Sequence, residues 1–385
     1  MLGILTGSSA GKAMNAESAR LNARVRLPRI VFDYIDGAAG RERCLARNSA
    51  AFDGIFLKPR VLQDVDHRSL GTSVMGFKFD LPFGFAPMGL CGLAWPGADR
   101  IMAREAVRRN IPVCVSTAAS IALEGMRELA QSNAWFQLYV GGSGQSGLQM
   151  AKRADDAGYE TIILTADVPV LALRDRDKKN GFKLPFRIGL KQFADFASHP
   201  NWSVRTLIEG VPRTRNFDGS EAGSGFDRTG SRGGANWNFL EKLRSLWKGK
   251  LVVKGIMCPE DAIRVKQAGA DAIYVSNHGG RQLDSALAAI TVLPAVRDAV
   301  GAEFPLMFDS GVRNGEDVVR ALALGANFVF LGRPVLFSMA ANGAAGLDEF
   351  IDGITEGVSK TMAQIGAVGV ADIGVNSLAS GNRSI

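Results

Sequence analysis

"QAGADAIYVSNHGGR", Gln267 to Arg281, decides the fold. A helical stretch closes at Gly269, where glycine lets the chain turn out of the helix. Ile273 to Ser276 then form a strand-like run, part of a continuous apolar stretch without alternation, the pattern of a strand covered on both faces. The strand delivers Asn277, His278 and, after two glycines, Arg281. Related phrases stand at "DAGYETIIL" (156–164) and "LGANFVFL" (324–331), so the same helix-to-strand turn recurs along the chain.

Working outward, eight apolar runs qualify as strands: "LPFGFAP" (81–87), "IPVCVST" (111–117), "AWFQLYV" (134–140), "ETIILTAD" (160–167), "LVVKGI" (251–256), "DAIYVSN" (271–277), "FPLMFDS" (304–310) and "NFVFLG" (327–332). Amphipathic stretches such as "EDVVRALALGA" separate them. Eight βα units in a row predict an α/β protein, a (β/α)8 TIM barrel over 81–365. An N-terminal helical segment, 1–80, packs on it, and 366–385 form a C-terminal tail. An open doubly wound sheet is the competing architecture, but no GxGxxG follows the first strand. A long insertion, 178–238, interrupts the pattern after strand four. Its first part mixes Phe, Trp and Leu with Arg and Lys; its second, "DGSEAGSGFDRTGSRGGAN", is Gly/Ser-rich and read as mobile.

Composition bounds the rest. Apolar residues make up 46% and charged residues 22% of 385, ordinary globular usage. Cys44, Cys91, Cys114 and Cys258 show no CxxC or Cys/His spacing, so neither a metal site nor a disulfide framework is expected, and a reducing compartment fits. The N-terminus does not read as a signal peptide, and no run approaches the ~20 apolar residues of a spanning helix. The net charge of +7 favours anionic partners. Its arginines are scattered, not interleaved with aromatics, which argues against nucleic acid.

Reactive groups of a barrel gather where its strands end. Ser116, Gln137, Tyr139, Thr165, Asp167, Lys254, His278, Arg281, Asp309, Arg313 and Arg333 all fall there. Gly311, Arg313, Gly332 and Arg333, after strands seven and eight, suit a phosphate: glycine admits oxygens to the backbone and arginine adds forked bonds. Lys254 in an apolar run calls for an anion. It could form a Schiff base, face a reduced cofactor ring or pair with a barrel carboxylate. His278 is the candidate base, with Asp167 to stabilise its protonated form. Arg281 and Arg174 suit the carboxylate of an acid with a transferable hydrogen. His67 and His199 lie outside the strand ends and read as surface or loop residues.

These residues match a known pattern. Through "SNHGGRQLD", "WFQLYV", "LVVKG" and "FDSGVR", the chain resembles the FMN-dependent (S)-2-hydroxy acid dehydrogenases and oxidases from about "VFDYIDGAAG" to residue 365. The resemblance implies FMN, lined by the backbone of Pro87, Met88 and Gly89. Ser116, Gln137 and Thr165 would bond its ring, with Ser276 also in contact and Lys254 beside the N1/C2=O edge. Asp309 would hold the ribityl chain and Ser310 would stand with it; Gly311, Arg313, Gly332 and Arg333 would hold the phosphate. His278, oriented by Asp167, would be the base. Arg281 and Arg174 would bind the substrate carboxylate, with Tyr34 and Tyr139 completing the pocket. The implied reaction carries two electrons from a 2-hydroxy carbon to the flavin and leaves a 2-keto acid.

Finer expectations follow from the same resemblance. Gly89 stands where oxidases of the family carry alanine, which favours a dehydrogenase passing electrons to quinone or another non-oxygen acceptor over an O2-consuming oxidase. Ala118 leaves room for a larger side group, as in mandelate enzymes, while "SHPNW" is similar to lactate dehydrogenases; the substrate stays lactate-like or mandelate-like. The insertion is either a soluble lid or a membrane-facing surface, with Phe193, Phe196, Trp202 and Arg205 at the interface. The expected location is the cytoplasm, with peripheral contact at the inner face of the cell membrane, and the expected assembly is a homo-tetramer. A flavin-containing isomerase on a related barrel and a non-catalytic flavin-binding protein are the alternatives; the first lacks SNHGGRQ, and the intact His278, Arg281, Lys254 and Tyr34 argue against the second.

Overall fold

The apolar runs become the eight strands of one closed parallel barrel in the computed structural model, which describes residues 15–183, 186, 188–217 and 232–380. They are β1 (Phe83–Met88), β2 (Val113–Ser116), β3 (Ala134–Leu138), β4 (Thr161–Thr165), β5 (Lys250–Ile256), β6 (Ala272–Val275), β7 (Leu306–Phe308) and β8 (Phe328–Leu331). Each pairs with the next, and β8 closes on β1. Each strand is a residue or more shorter than its apolar run at one or both ends, except β5, which starts one residue earlier. The closed barrel, not the open sheet, is what the eight βα units build, with the insertion accommodated between β4 and β5.

Inside the barrel, Ala86, Cys114, Trp135, Ile163, Tyr274 and Phe330 pack into one buried cluster. Continuous apolar strands are needed because the other strand face meets the surrounding helices in a second, larger core. At the N-terminal ends of the strands an antiparallel hairpin, Thr72–Val74 with Phe77–Phe79, covers the interior. Phe79 lies 5.9 Å from the Trp135 ring and 5.4 Å from Phe328. The segment 1–80, expected to be helical, therefore also supplies this β plug.

Among the described residues, three α-helices precede the plug: α1 (Ala16–Arg26), α2 (Arg29–Asp36) and α3 (Arg43–Ala50). Asp36 is buried and accepts from Arg20 Nε at 2.6 Å and Arg176 Nη1 at 2.7 Å. Burial pushes its carboxyl up, but the two guanidiniums win and hold it below the ordinary range. That pairing fixes α2 over the C-terminal mouth of the barrel. At the chain's other end, the last long helix runs from Arg333 to Ile365 with a break at Asn342–Gly343. Beyond it, Leu378 bridges to Leu57 and Gly369 to Ser69, so the tail binds the extended stretch before the plug.

The amphipathic part of the insertion forms two helices, α4 (Leu190–Ala197) and α5 (Pro200–Glu209). Most of its Gly/Ser-rich part lies outside the described residues, as do residues 1–14 and 381–385. Among the described residues, no helix is long and apolar enough to cross a membrane.

Candidate active site

At the mouth, His278 follows β6 and Asp167 follows β4. His278 Nδ1 stands 3.1 Å from Asp167 Oδ1, and its Nε2 stands 3.3 Å from the Tyr139 hydroxyl. Gly255 makes the approach of Asp167 feasible. It has φ +103°, and a Cβ there would lie 2.5 Å from the Asp167 Cβ. The strand pairing shifts at this residue. Burial lowers the His278 pKa and Asp167 opposes it; the net direction is down, so the imidazole is neutral near pH 7. For Asp167 burial pushes up, and His278 and then Lys254 pull it below the ordinary range. A neutral ring backed by an ionised carboxylate is a proton acceptor with one tautomer selected.

The SNHGGR loop is held in strained backbone. His278 has φ +58° and Ser310 φ +83°, both non-glycine. Ser310 Oγ accepts from Gly279 N at 3.0 Å, and Asn277 exchanges amide bonds with Asn48 at 2.7 and 2.8 Å. Asn48, on α3, was not legible as a partner; nothing local distinguishes it.

Along the barrel rim, Ser116 Oγ donates to Gln137 Oε1 at 2.9 Å and Gln137 Nε2 to Thr165 Oγ1 at 2.8 Å. Lys254 Nζ donates to Ser276 Oγ at 2.8 Å and lies 3.7 Å from Asp309 Oδ2. Ser276 and Ser310 both donate to Asp309 Oδ1. Of the three uses open to Lys254, the barrel salt bridge is thus present, and the lysine also lines the cavity.

That cavity measures about 650 Å³. Its wall takes in Pro87, Met88 and Gly89, Ser116, Lys254 and Asp309, then Ser310, Gly311, Arg313, Gly332 and Arg333, and on the other side Tyr34, Tyr139, Arg174, His278 and Arg281. Gln137, Thr165, Asp167 and Ser276 are not in the wall and stand behind it as hydrogen-bond partners. Val211 to Thr214 and Arg232, from the insertion, also line it. Arg232 was missed because its Gly/Ser-rich surroundings read as mobile, and Glu221, Asp227 and Arg228 stand in the same stretch, so nothing local distinguishes it.

Buried positive charge dominates this wall. Arg281 Nη1 donates to the carbonyls of Tyr34 and Gly37 at 2.9 and 2.8 Å. Arg333 donates to those of Ile35, Gly37 and Gly279 at 3.0, 2.9 and 2.9 Å. Gly279, at φ +63°, leaves it room: a Cβ would sit 2.7 Å from Arg333 Nη1. Burial, then Arg174, pushes Arg281 down to about 10. Burial, then Arg281 and Arg313, lowers Arg333 as well, and burial lowers Arg313. Arg174 lies 3.3 Å from Asp177. Guanidiniums that are desolvated and repel one another call for an anion.

Fold and site together bring a histidine–aspartate pair and a group of buried guanidiniums to the mouth of one closed α/β barrel. Residues 23–380 match the FMN-dependent dehydrogenase family. The (S)-mandelate dehydrogenase of Pseudomonas putida is 38% identical over 364 residues, 93% of this chain and 92% of its own. An L-lactate dehydrogenase of Stenotrophomonas maltophilia is 38% identical over 374 residues, 94% and 97% of the two chains. The crystal structure of the monotopic membrane protein (S)-mandelate dehydrogenase superposes with a TM-score of 0.91 at 37% identity, covering 96% of this chain and 100% of that one. The chain belongs to the FMN-dependent dehydrogenase family. It is an oxidoreductase, and FMN is its cofactor; the buried cations at Arg313 and Arg333 fit the phosphate of that group.

The insertion departs from expectation in detail. Trp202 is buried and donates Nε1 to Leu93 O at 2.8 Å. Phe196 packs on it at 5.5 Å, and the Arg205 guanidinium lies 4.6 Å over the Trp95 ring. Of the four residues expected at an interface, Phe193 stays exposed among them as a large apolar side chain. The exposed apolar face is Leu190, Phe193, Val204, Leu207 and Ile208. Helical periodicity had not revealed which side of α5 the barrel would take.

Proposed function

We propose that this FMN-dependent dehydrogenase oxidises an (S)-2-hydroxy acid to the 2-keto acid with His278 as base, a substrate class that the family and the two relatives support. The observation that carries the residue roles is His278, neutral and bonded to Asp167, in the same cavity wall as Arg281 and Arg174. FMN, when bound, supplies the two-electron acceptor. Arg281 spends Nη1 on the carbonyls of Tyr34 and Gly37, which aims the rest of its fork at the substrate carboxylate. Arg174 and Tyr34 close round the same group. His278 Nε2 takes the proton of the 2-hydroxyl, and Asp167 stabilises the imidazolium that results. Tyr139, whose hydroxyl burial pushes up and keeps protonated, donates at that hydroxyl. Lys254 holds positive charge beside the ring site.

Ala118, Leu171 and Val211 line the same cavity and offer the substrate side group an apolar wall. Quinone, or another acceptor that is not oxygen, takes the electrons; what supports this is glycine at position 89, where oxidases resembling this chain carry alanine. Mandelate oxidase, whose complex with benzoyl-formic acid superposes with a TM-score of 0.82 at 32% identity and covers 96% of this chain, keeps the O2 alternative in view. The exposed face of α4 and α5, with Leu207 and Ile208 76% and 81% exposed, docks peripherally on a membrane rather than closing as a soluble lid.

The experiment is to add L-lactate or (S)-mandelate to the yellow protein without oxygen. Bleaching by the (S) enantiomer alone is expected, with slow return of colour in air. No bleaching by any 2-hydroxy acid refutes the reaction, and rapid reoxidation in air refutes the acceptor. Sedimentation with anionic vesicles tests docking; Ile208→Glu should release the protein.

A further inference from the structure

Tyr34 and Arg174, both assigned above to the substrate carboxylate, come from distant parts of the chain. Tyr34 lies on α2, and Arg174 precedes a short helix, Asp175–Asn180, that leads into the insertion. Neither stands on a barrel strand. A seam between the two segments sets where both side chains point.

The seam is bonded next to each of them. Gly40 N donates to Leu173 O at 2.9 Å, one residue before Arg174. Asn180 Nδ2 donates to Asp33 Oδ2 at 2.7 Å, one residue before Tyr34. Between these bonds, Arg176 Nη1 donates to the buried Asp36 at 2.7 Å and lies 3.6 Å from Asp33 Oδ1, while Nη2 pairs with Glu42. The Tyr34 ring lies flat on Phe182, with centroids 4.2 Å apart and planes 3° from parallel. The Arg281 guanidinium carbon stands 5.3 Å from the centroid of the same tyrosine ring. Tyr34, Arg174 and Arg281 are in the cavity wall; Arg176 and Phe182 stand behind it.

We propose that Arg176 and Phe182 are positioning residues for carboxylate capture: Arg176 ties the segment bearing Arg174 to the one bearing Tyr34, and Phe182 sets the plane of the Tyr34 ring. This rests on the 2-hydroxy acid reading above. A phenol donates well to one carboxylate oxygen only when its ring is aimed, and a parallel ring against one face removes most of its other orientations. Arg176 faces three carboxylates, Asp33, Asp36 and Glu42. Without it the buried Asp36 keeps Arg20 alone, and the repelling acids open the seam. The substrate carboxylate keeps its charge throughout the reaction. Groups that hold it therefore bind ground state and transition state alike, so losing their aim weakens binding and leaves the chemical step nearly unchanged.

The test follows anaerobic bleaching of the holoenzyme by L-lactate and (S)-mandelate over a range of concentrations, which separates half-saturation from limiting rate. Oxalate, a carboxylate with no hydrogen to transfer, serves as an unreactive probe read from the flavin absorbance. Phe182→Leu and Arg176→Gln should each raise the half-saturating concentration and the oxalate Kd by about tenfold, the worth of one aromatic pair or one charged bond. The limiting rate should stay within about twofold. Phe182→Tyr and Arg176→Lys should restore most of the binding. A purely structural role would lower the melting temperature and leave half-saturation and oxalate binding where they were; that result overturns the assignment alone. So does a fall in limiting rate at unchanged half-saturation. Failure of both acids to bleach the wild type overturns the 2-hydroxy acid reading and this inference with it. Phe182 is only partly buried, so Phe182→Leu decides the matter even where Arg176→Gln does not fold.

Discussion

At the N-terminal ends of the strands, Trp135, Phe79 and Phe328 close the barrel with rings 5.4 to 5.9 Å apart, and no charged group joins their cluster. At the C-terminal ends, Arg281, Arg313 and Arg333 are buried together, and His278 and Ser310 sit at positive φ. The floor follows the preference of apolar surface for an apolar surrounding. The mouth opposes it: each buried guanidinium and each strained dihedral costs free energy. The floor can therefore lose stability without losing chemistry, and the mouth the reverse. Variants at the two ends test that division.

The largest effect is expected at His278. His278→Ala should retain FMN and its colour, since the phosphate and ring contacts lie elsewhere, while the rate of anaerobic bleaching falls by roughly 10²–10⁴-fold. Near-normal bleaching would remove His278 as the base. Asp167→Asn follows. It takes away the one neighbour that raises the His278 pKa, so the acid limb of kcat/KM, already below the ordinary 6.5, should move to lower pH as the plateau falls. The sign is fixed by which form works: the neutral ring is active, and activity is lost as pH falls through its pKa. A limb moving upward would mean that Asp167 does not act on His278 by charge.

At the floor, Trp135→Ala should cost about 3–5 kcal/mol in unfolding free energy, read from denaturant midpoints, because a fully buried indole is replaced by a cavity. Trp135→Phe should cost much less. The Trp135 Nε1 finds no acceptor among the described residues, so that change also removes a buried unsatisfied donor. Bleaching per folded, FMN-loaded molecule should be unchanged in both. A floor variant that alters the rate as strongly as a mouth variant would end the division.

The two ends were not equally legible. The barrel was readable because its signal is local: eight apolar runs are separated by amphipathic stretches, and at Gly158, Gly269 and Gly325 a glycine turns the chain out of a helix toward the next run. The mouth was readable in part, since SNHGGR and KG place His278, Arg281 and Lys254 at strand ends by spacing alone, and all three line the cavity. Unreadable were partners brought in from far along the chain. Asn48, which locks Asn277, and Arg232, which reaches the cavity from a Gly/Ser stretch, carry no local mark. The β plug was missed because three-residue strands have too few residues for a period. Trp202 was misassigned since an amphipathic helix shows that it has two faces and not which one the protein buries.

The smallest effect is expected at Asp99, beside the mouth. It is 5% exposed, and burial pushes its carboxyl up to about 6 despite bonds from Ser120. A group whose folded pKa lies above its unfolded 3.8 binds its proton more tightly when folded. Both states are protonated below about pH 3.8, and both are ionised above about 6, where the folded state bears the desolvation. The native protein therefore loses stability at this site as pH rises from about 3.8 to 6, by at most about 3 kcal/mol at 1.36 kcal/mol per unit. Asp99→Asn removes the charge while keeping one acceptor, so a gain of roughly 1–2 kcal/mol is expected at pH 7, shrinking to nothing near pH 4. Urea midpoints at the two pH values measure it. An equal gain at both would show that packing, not charge, is responsible, and a loss at pH 7 would mean that the mouth needs this carboxylate ionised. In either case the mouth's stored free energy would reside in the arginines and the strained loop alone.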